Sequence, residues 1–180
     1  TGRYVLYAGR MEPAKRVPVV AEYFTRWKRE RGSDLRLVLV GDGPERERLQ
    51  KLAPDAHFLG FRHGEDYART HAAADVMVFP SRTDTFGLVM LEAMASGTPV
   101  AAYNAPSPWD VVDNGVTGII ADLLEDAVER ALTLDRSVVE DGSRKFSWKT
   151  CADMFESWLV PCGEIKPRGG RQELAYALPR

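Results

Sequence analysis

Two carboxylates with seven residues between them, Asp84 and Glu92, are the first candidates for chemistry in this sequence. The stretch LVMLEAMA, which follows Phe86 and Gly87, consists of strong helix formers and predicts a helix in this region. The free N–H groups of such a helix start, at the positive end of its dipole, can bind an anion, and Gly87 lets a ligand approach the backbone. Glu92 comes four residues after Leu88, which puts it one turn further along the same face.

A carboxylate one turn behind an anion site repels phosphate but accepts hydrogen bonds, so its natural partner is a vicinal diol such as that of a ribose. Asp84, in the loop before the helix, can accept hydrogen bonds from a second set of hydroxyl groups. The alternative is structural: Asp84 is a surface loop acid, and Glu92 is exposed or ion-paired. The loop that carries Asp84 follows a predicted buried strand, and this position favours the ligand-binding interpretation.

Basic residues follow the first predicted strand in the segment GRMEPAKR, where Arg10 and Lys15 flank Pro13. Proline stiffens this loop. Arginine can engage two oxygens at once and lysine acts as a point charge, so the two residues can clamp a diphosphate. The alternative is two solvated cations ahead of a basic helix, and the neighbouring Arg16 leaves open which cation reaches a ligand.

Short apolar runs alternate with helical patterns along the chain, about six times over. The predicted strands cover residues 4–9, 35–43, 57–60, 75–81, 98–104 and 117–122, and helical patterns cover 17–31, 44–53, 64–74, 86–97, 124–135 and 148–159. This alternation predicts an α/β fold with a doubly wound parallel sheet of about six strands and helices on both faces. Ligands bind at the carboxyl ends of the strands in such sheets, where Arg10, Gly41, Gly43 and Asp84 are expected.

The composition is that of an ordinary globular protein of 180 residues, with 44% hydrophobic residues and a formal net charge of −2. This balance predicts no nucleic-acid partner. No apolar run approaches the roughly 20 residues of a membrane span, and the first residues do not resemble a signal peptide. His57, His63 and His71 lack metal-site spacing, so no metal is predicted, and Cys151 and Cys162 are expected to be free thiols in a reducing compartment.

The final segment, residues 161–180, changes character: it contains three prolines and three glycines, and its basic residues outnumber its two glutamates. Such a composition predicts a linker, or a strap lying over another surface, rather than core. The expected organisation is therefore one domain over residues 1–160 and a tail over residues 161–180.

The order and spacing of five segments resemble the carboxy-terminal domain of the family 4 glycosyltransferases, retaining enzymes with the two-domain GT-B fold. The segments are GRMEPAKR, LVLVGDGPERERLQKLA, HFLGF, AAADVMVFPSRTDTFGLVMLEAMASGTPV and DNGVTGIIAD. The resemblance extends over roughly residues 4–160. It implies a Rossmann-like domain that binds a nucleoside diphosphate sugar and forms one half of a GT-B enzyme.

The resemblance also implies roles for the matching residues. Arg10 and Lys15 would neutralise the diphosphate of the donor. Asp84 and Glu92 match the two acids of the family's Glu-x7-Glu pattern, the first contacting hydroxyls of the transferred sugar and the second holding the ribose. Backbone groups at the helix start would meet sugar and phosphate, and main-chain groups after the third strand would meet the base. These other donor-site residues are Gly9, Phe61, Arg62, Thr85, Phe86, Gly87 and Leu88.

Three positions depart from the family pattern. Asp84 stands where glutamate is usual, so its carboxylate reaches one methylene less far. Arg16 stands where glycine commonly follows the lysine. Residues 103–112, YNAPSPWDVV, replace a stretch that is often rich in glycine.

The function that the resemblance implies is that of a retaining hexosyltransferase in glycolipid or polysaccharide assembly, with a UDP- or GDP-sugar as donor and no further cofactor. A glycan or lipid acceptor would bind an amino-terminal domain for which this chain leaves no room, and the tail would cross back to that domain. The chain alone is therefore expected to bind its donor weakly and to transfer nothing. The full-length protein is expected in the cytoplasm, in peripheral contact with the inner face of the membrane.

Other functions stay open from the sequence alone. A non-catalytic nucleotide-sugar-binding module or a degenerate partner subunit would share the same donor site. A sugar-nucleotide 2-epimerase would need catalytic acids and histidines in two domains. A flavodoxin-like domain would bind FMN.

Overall fold

A computed structural model describes residues 2–32 and 34–160 of the chain. Its contacts separate a compact unit that ends at Phe146 from a second unit that starts at Ser147. The predicted domain over residues 1–160 extends past the end of the first unit, and the predicted tail over residues 161–180 lies outside the described residues.

The first unit alternates strands with helices, as the sequence predicts. Its strands are β1 (Tyr4–Ala8), β2 (Arg36–Val40), β3 (His57–Gly60), β4 (Val76–Phe79), β5 (Val100–Tyr103) and β6 (Gly118–Ala121). Its helices are α1 (Val17–Arg31), α2 (Arg46–Leu52), α3 (Gly64–Ala72), α4 (Leu88–Ala95), α5 (Pro106–Val111), α6 (Leu124–Ala131) and α7 (Arg136–Ser143). A 3-10 turn, Pro13–Lys15, precedes α1.

The six strands of the described residues form one parallel sheet in the order β3-β2-β1-β4-β5-β6. This is the doubly wound, Rossmann-like order, so the predicted fold class is confirmed. Chain connections run outward from β1 in one direction and from β4 in the other. The point between these two strands is therefore where a ligand crevice is expected.

The core lies on both faces of the sheet, which explains why the strands are continuous apolar runs rather than alternating ones. Leu6, Leu39 and Met77 on three neighbouring strands are fully buried. Gly41 follows β2 with φ +115°, and a Cβ there would lie 2.1 Å from the carbonyl oxygen of Gly9. Glycine at this position is thus required by the close approach of the loop that follows β1.

The second unit, in its described part, is the helix α8 (Trp148–Trp158). Its N-cap is Ser147, whose Oγ accepts a hydrogen bond from the Thr150 backbone N–H at 3.0 Å. Cys151 of this helix is a free thiol, and Cys162 lies outside the described residues.

The structure differs from the sequence-based predictions at three helices. Pro44 was expected in the first turn of α2, but the helix begins only at Arg46, after a turn. Helices α5 and α7 were not predicted. Two prolines hide the helical pattern of α5, and Gly142 interrupts that of α7, where tertiary packing of Val139 in the core outweighs local propensity.

Across the described residues, no helix combines the length and the apolar character that a bilayer crossing demands.

Candidate functional site

The loops after β1 and β4 meet at the carboxyl edge of the sheet, because the chain winds away from these neighbouring strands in opposite directions. A cavity of about 430 Å³ lies between the two loops and the start of α4. Eight of the predicted site residues line it: Gly9, Arg10, Lys15, Asp84, Thr85, Phe86, Gly87 and Leu88. Glu92, Phe61 and Arg62 are not among the lining residues.

Lys15 and Asp84 form an ion pair beside this cavity. Lys15 Nζ lies 2.6 Å from Asp84 Oδ2, and the two side chains are only 28% and 17% exposed. Solvent screens such a partly buried pair less than it screens an exposed one. The arrangement places a cation and a hydrogen-bond-accepting carboxylate within reach of a single ligand.

Arg10 lies at the mouth of the cavity and differs from Lys15 in its surroundings. Its side chain is 72% exposed, and its Nε lies 3.3 Å from Glu12 Oε2. The Tyr7 hydroxyl donates to the Arg10 carbonyl oxygen at 2.7 Å and anchors this loop. Burial, followed by the charges of Glu12 and Asp84, raises the pKa of Tyr7, so the hydroxyl keeps its proton.

Helix α4 begins at the cavity without a side-chain cap. Its N-cap Gly87 has φ +78°, and a Cβ there would lie 2.6 Å from Met90 Cε and 2.9 Å from Phe79 Cζ. Glycine is therefore required both by conformation and by space. Ser107 Oγ donates to the Phe86 carbonyl oxygen at 2.8 Å and ties the preceding loop to α5. The N–H groups of the first turn can donate hydrogen bonds to an anion at this position.

Glu92 is exposed on α4 and reaches the cavity only through another residue. Tyr67 of α3 lines the cavity and donates its hydroxyl proton to Glu92 Oε2 at 2.7 Å. Tyr67 was not predicted as a site residue from the sequence. No local pattern reveals that its face of α3 packs against α4.

Phe61 and Arg62 follow β3, the edge strand of the sheet, and lie outside the cavity lining. Phe61 is 63% exposed, and Arg62 Nη1 donates to the Phe61 carbonyl oxygen at 3.2 Å. Their contact with a nucleotide base stays a prediction.

Ser81 is a second lining residue that was not predicted from the sequence. It lies just beyond β4, is almost fully buried, and its Oγ has no hydrogen-bond partner among the described residues. A buried hydroxyl without a partner is unfavourable, and a ligand group in the cavity could supply one. Its position at the carboxyl end of a buried strand is the feature of the sequence from which Ser81 could have been predicted as a site residue.

A larger cavity, about 590 Å³, lies near the start of β2. It belongs to the opposite edge of the sheet from the candidate site and contains none of the predicted site residues. Within residues 2–32 and 34–160, no three His, Cys, Asp or Glu side chains are grouped so that they could hold a metal ion. The smaller cavity, where the chemistry-bearing side chains converge, is therefore the candidate site.

Comparison with known proteins gives one family. A family profile described as "Glycosyl transferases group 1" matches residues 2–134. A GDP-mannose-dependent alpha-mannosyltransferase of Corynebacterium glutamicum is 38% identical over 168 residues, which are 91% of this chain and 38% of that protein. A protein of the same name from Mycolicibacterium smegmatis is 35% identical over 160 residues, 88% of this chain and 40% of that protein. The chain thus spans about two fifths of the length of these relatives.

Among solved structures, the lipopolysaccharide outer core galactosyltransferase WaaB in its apo form is similar in fold. The match has a TM-score of 0.72 at 17% identity and covers 88% of this chain and 50% of that chain. At this identity the likeness concerns the fold alone.

Proposed function

Because the chain belongs to the group 1 glycosyl transferases, with the fold of the carboxy-terminal half of a GT-B enzyme, we propose that it binds the nucleoside diphosphate sugar donor. Joined to an acceptor-binding domain, it transfers the sugar to a glycan or lipid acceptor with retention of the anomeric configuration. The chain spans 38% of the length of the first relative, so transfer is proposed for the longer protein and donor binding for this chain.

One observation carries the proposal: Lys15 and Asp84 lie 2.6 Å apart beside a cavity that the uncapped start of α4 also lines. Lysine charge and first-turn N–H groups together suit a diphosphate. Asp84 offers acceptor oxygens to sugar hydroxyls. Glu92, one turn into α4, offers them to a ribose. The larger cavity near the start of β2 contains neither Lys15, Asp84 nor the start of α4.

The proposed chemistry is substitution at the anomeric carbon of the donor. The bond from this carbon to the phosphate oxygen breaks, the bond to the acceptor oxygen forms, and the acceptor proton passes to the departing phosphate. The role of the protein is mainly electrostatic, because negative charge accumulates on the leaving diphosphate in the transition state. Lys15, the start of α4 and Arg10 after reorientation from Glu12 would stabilise that charge.

The relatives support a choice among donors. Two of them are named as GDP-mannose-dependent mannosyltransferases, so we propose GDP-mannose ahead of UDP-sugars for this chain. Their names as transferases do not favour a non-catalytic module. Action in the cytoplasm, in peripheral contact with the inner face of a membrane, and a role in glycolipid or polysaccharide assembly are part of the same proposal.

Titration calorimetry of this chain with GDP-mannose and UDP-glucose tests donor binding. We expect GDP-mannose to bind more tightly, and Lys15→Met to weaken binding by about 10- to 100-fold through loss of a charge-assisted contact. Lys28→Met is the matched control, because Lys28 pairs with the exposed Asp55 at 2.7 Å, outside the candidate site. Transfer by the longer protein, with the anomer of the product identified by NMR, tests retention.

The outcomes that contradict the proposal differ in which part of it they overturn. Absence of binding by either donor contradicts the proposed function, and tight FMN binding would replace it with a flavodoxin-like one. Donor binding without transfer by the longer protein would indicate a non-catalytic module. An inverted product would contradict retention alone.

A further inference from the structure

The side chain of Tyr67 bridges the candidate cavity and Glu92. Tyr67 is half-buried on α3 and lines the cavity together with Lys15 and Asp84. Its hydroxyl donates to Glu92 Oε2 at 2.7 Å, whereas Glu92 itself is exposed and does not line the cavity. The two helices that flank the cavity are thus joined through the carboxylate that the donor-site interpretation assigns to the ribose.

The Tyr67 ring packs against the ring of His71, which lies one turn further along α3. The ring centroids lie 4.6 Å apart in an edge-on arrangement, a favourable geometry for two aromatic side chains. His71 is almost fully buried, and neither ring nitrogen has a hydrogen-bond partner among the described residues. His71 therefore supports the ring by packing rather than through a polar network.

The Tyr67 hydroxyl is a stable donor. Burial raises the pKa of Tyr67 above its ordinary value, and the hydrogen bond to Glu92 and the charge of that carboxylate raise it further. The phenol therefore keeps its proton at neutral pH. One oxygen of the Glu92 carboxylate, Oε2, is engaged in this way.

We propose that Tyr67 is a positioning residue, which holds one oxygen of the Glu92 carboxylate so that the other faces the ribose diol of the bound donor. This inference rests on the proposed function, since it requires that a nucleotide occupies the cavity. An exposed glutamate samples many rotamers, and a ligand must pay to order it. The Tyr67 hydroxyl orders the side chain before the ligand arrives.

The test compares two nucleotides by calorimetry: GDP, and 2′,3′-dideoxy-GDP, which lacks the diol. Tyr67→Phe keeps the ring and removes only the hydroxyl. We expect it to weaken GDP binding about 5- to 10-fold, because the Glu92 side chain must then be ordered when the nucleotide binds, and to leave binding of the dideoxy nucleotide unchanged. In the Glu92→Ala background, Tyr67→Phe should have no further effect on GDP, because the two residues act as one unit.

Tyr4→Phe is the matched control. Tyr4 also donates its hydroxyl to α3, to the Thr70 carbonyl oxygen at 2.6 Å, but does not line the cavity. It reports the cost of loosening α3 without touching Glu92, and it should leave GDP affinity unchanged.

The inference is overturned if Tyr67→Phe binds GDP like the unmodified chain, or weakens GDP and dideoxy-GDP equally. It is also overturned if Tyr4→Phe has the same effect as Tyr67→Phe, or if Tyr67→Phe adds a full effect to Glu92→Ala. These results presuppose GDP binding by the unmodified chain. If that chain binds neither GDP nor UDP, the proposed function fails first, and the inference fails with it.

Discussion

Lys15 Nζ and Asp84 Oδ2 lie 2.6 Å apart although 69 positions separate the two residues in the chain. The pair joins the loop after β1 to the loop after β4, across the point where the sheet winds in two directions. Each partner is assigned to a different part of the donor, Lys15 to the diphosphate and Asp84 to the sugar. Under the proposed function, donor binding redistributes an ion pair that already exists in the free protein.

Asp84→Asn should tighten the binding of GDP, because it removes the carboxylate that competes with the diphosphate for Lys15. We expect about a 5-fold gain in affinity, equivalent to roughly 1 kcal/mol of competition at a partly exposed pair. The gain should be smaller for GDP-mannose, which loses its contact with Asp84. Asp55→Asn, at an exposed pair with Lys28, should change neither affinity. Calorimetry that showed weaker GDP binding by Asp84→Asn would contradict competition.

Gly87→Ala should lower the free energy of unfolding by about 3 kcal/mol. The added methyl group meets Met90 Cε and Phe79 Cζ, and the residue must also adopt a positive φ. Gly115→Ala is the control, because Gly115 has φ +86° and nothing within 4 Å of the added Cβ. It should cost about 1 kcal/mol, for the backbone conformation alone. Equal losses in urea unfolding would show that the clash is relieved by side-chain movement.

Arg16→Gly should be more stable than Arg16→Ala by about 0.5–1 kcal/mol. Arg16 is a non-glycine residue with a positive φ, +56°, at the N-cap of α1. Both variants remove the guanidinium from its place 5.6 Å from the Tyr103 ring centroid, so this loss cancels in the comparison. Glycine relieves the backbone strain, and this outweighs its greater entropy in the unfolded chain. Denaturant midpoints in which the alanine variant is the more stable would argue against strain at this turn.

Stability should fall as the pH decreases below about 6.5, and His71 should be one cause. Burial lowers the pKa of His71 from its ordinary 6.5, against an opposing effect of the Glu92 charge. Between the lowered pKa and 6.5 the unfolded chain binds more protons than the folded one, so the free energy of unfolding rises with pH across this interval.

His71→Phe should flatten this part of the pH profile, and His63→Gln, at an exposed position, should not. Urea unfolding at several pH values between about 5 and 8 measures the slope. Asp55 and Asp135, whose carboxyl pKa values lie below the ordinary 3.8, affect stability in a more acidic range and do not confuse the comparison. An unchanged slope in His71→Phe would assign the pH dependence to other groups.

The alternation of apolar runs and helical patterns was sufficient to predict the sheet and the helix α1, Val17–Arg31, at its observed limits. Hydrophobic periodicity is a local property, so it can be recognised in the sequence without the tertiary structure. The same holds for Gly87, since a glycine directly before strong helix formers marks a helix start. The resemblance to the family 4 glycosyltransferases could likewise be recognised from the order of the segments. It is confirmed by the match to the family profile.

Local patterns could not reveal which side chains meet. Arg10 and Lys15 look equivalent in the sequence, but the fold turns Lys15 towards Asp84 and leaves Arg10 beside Glu12 at the mouth of the cavity. The contact of Tyr67 with Glu92 depends on how α3 packs against α4, and neither helix encodes that in its own pattern.

The sequence by itself predicted the class of fold, the edge of the sheet where the candidate cavity lies, and eight of the residues that line this cavity. Only the tertiary structure decided the strand order, the Lys15–Asp84 pair and the partner of Glu92. The physical reason is that secondary structure follows from interactions among neighbours in the chain. The geometry of the site follows instead from packing between elements that lie tens of residues apart.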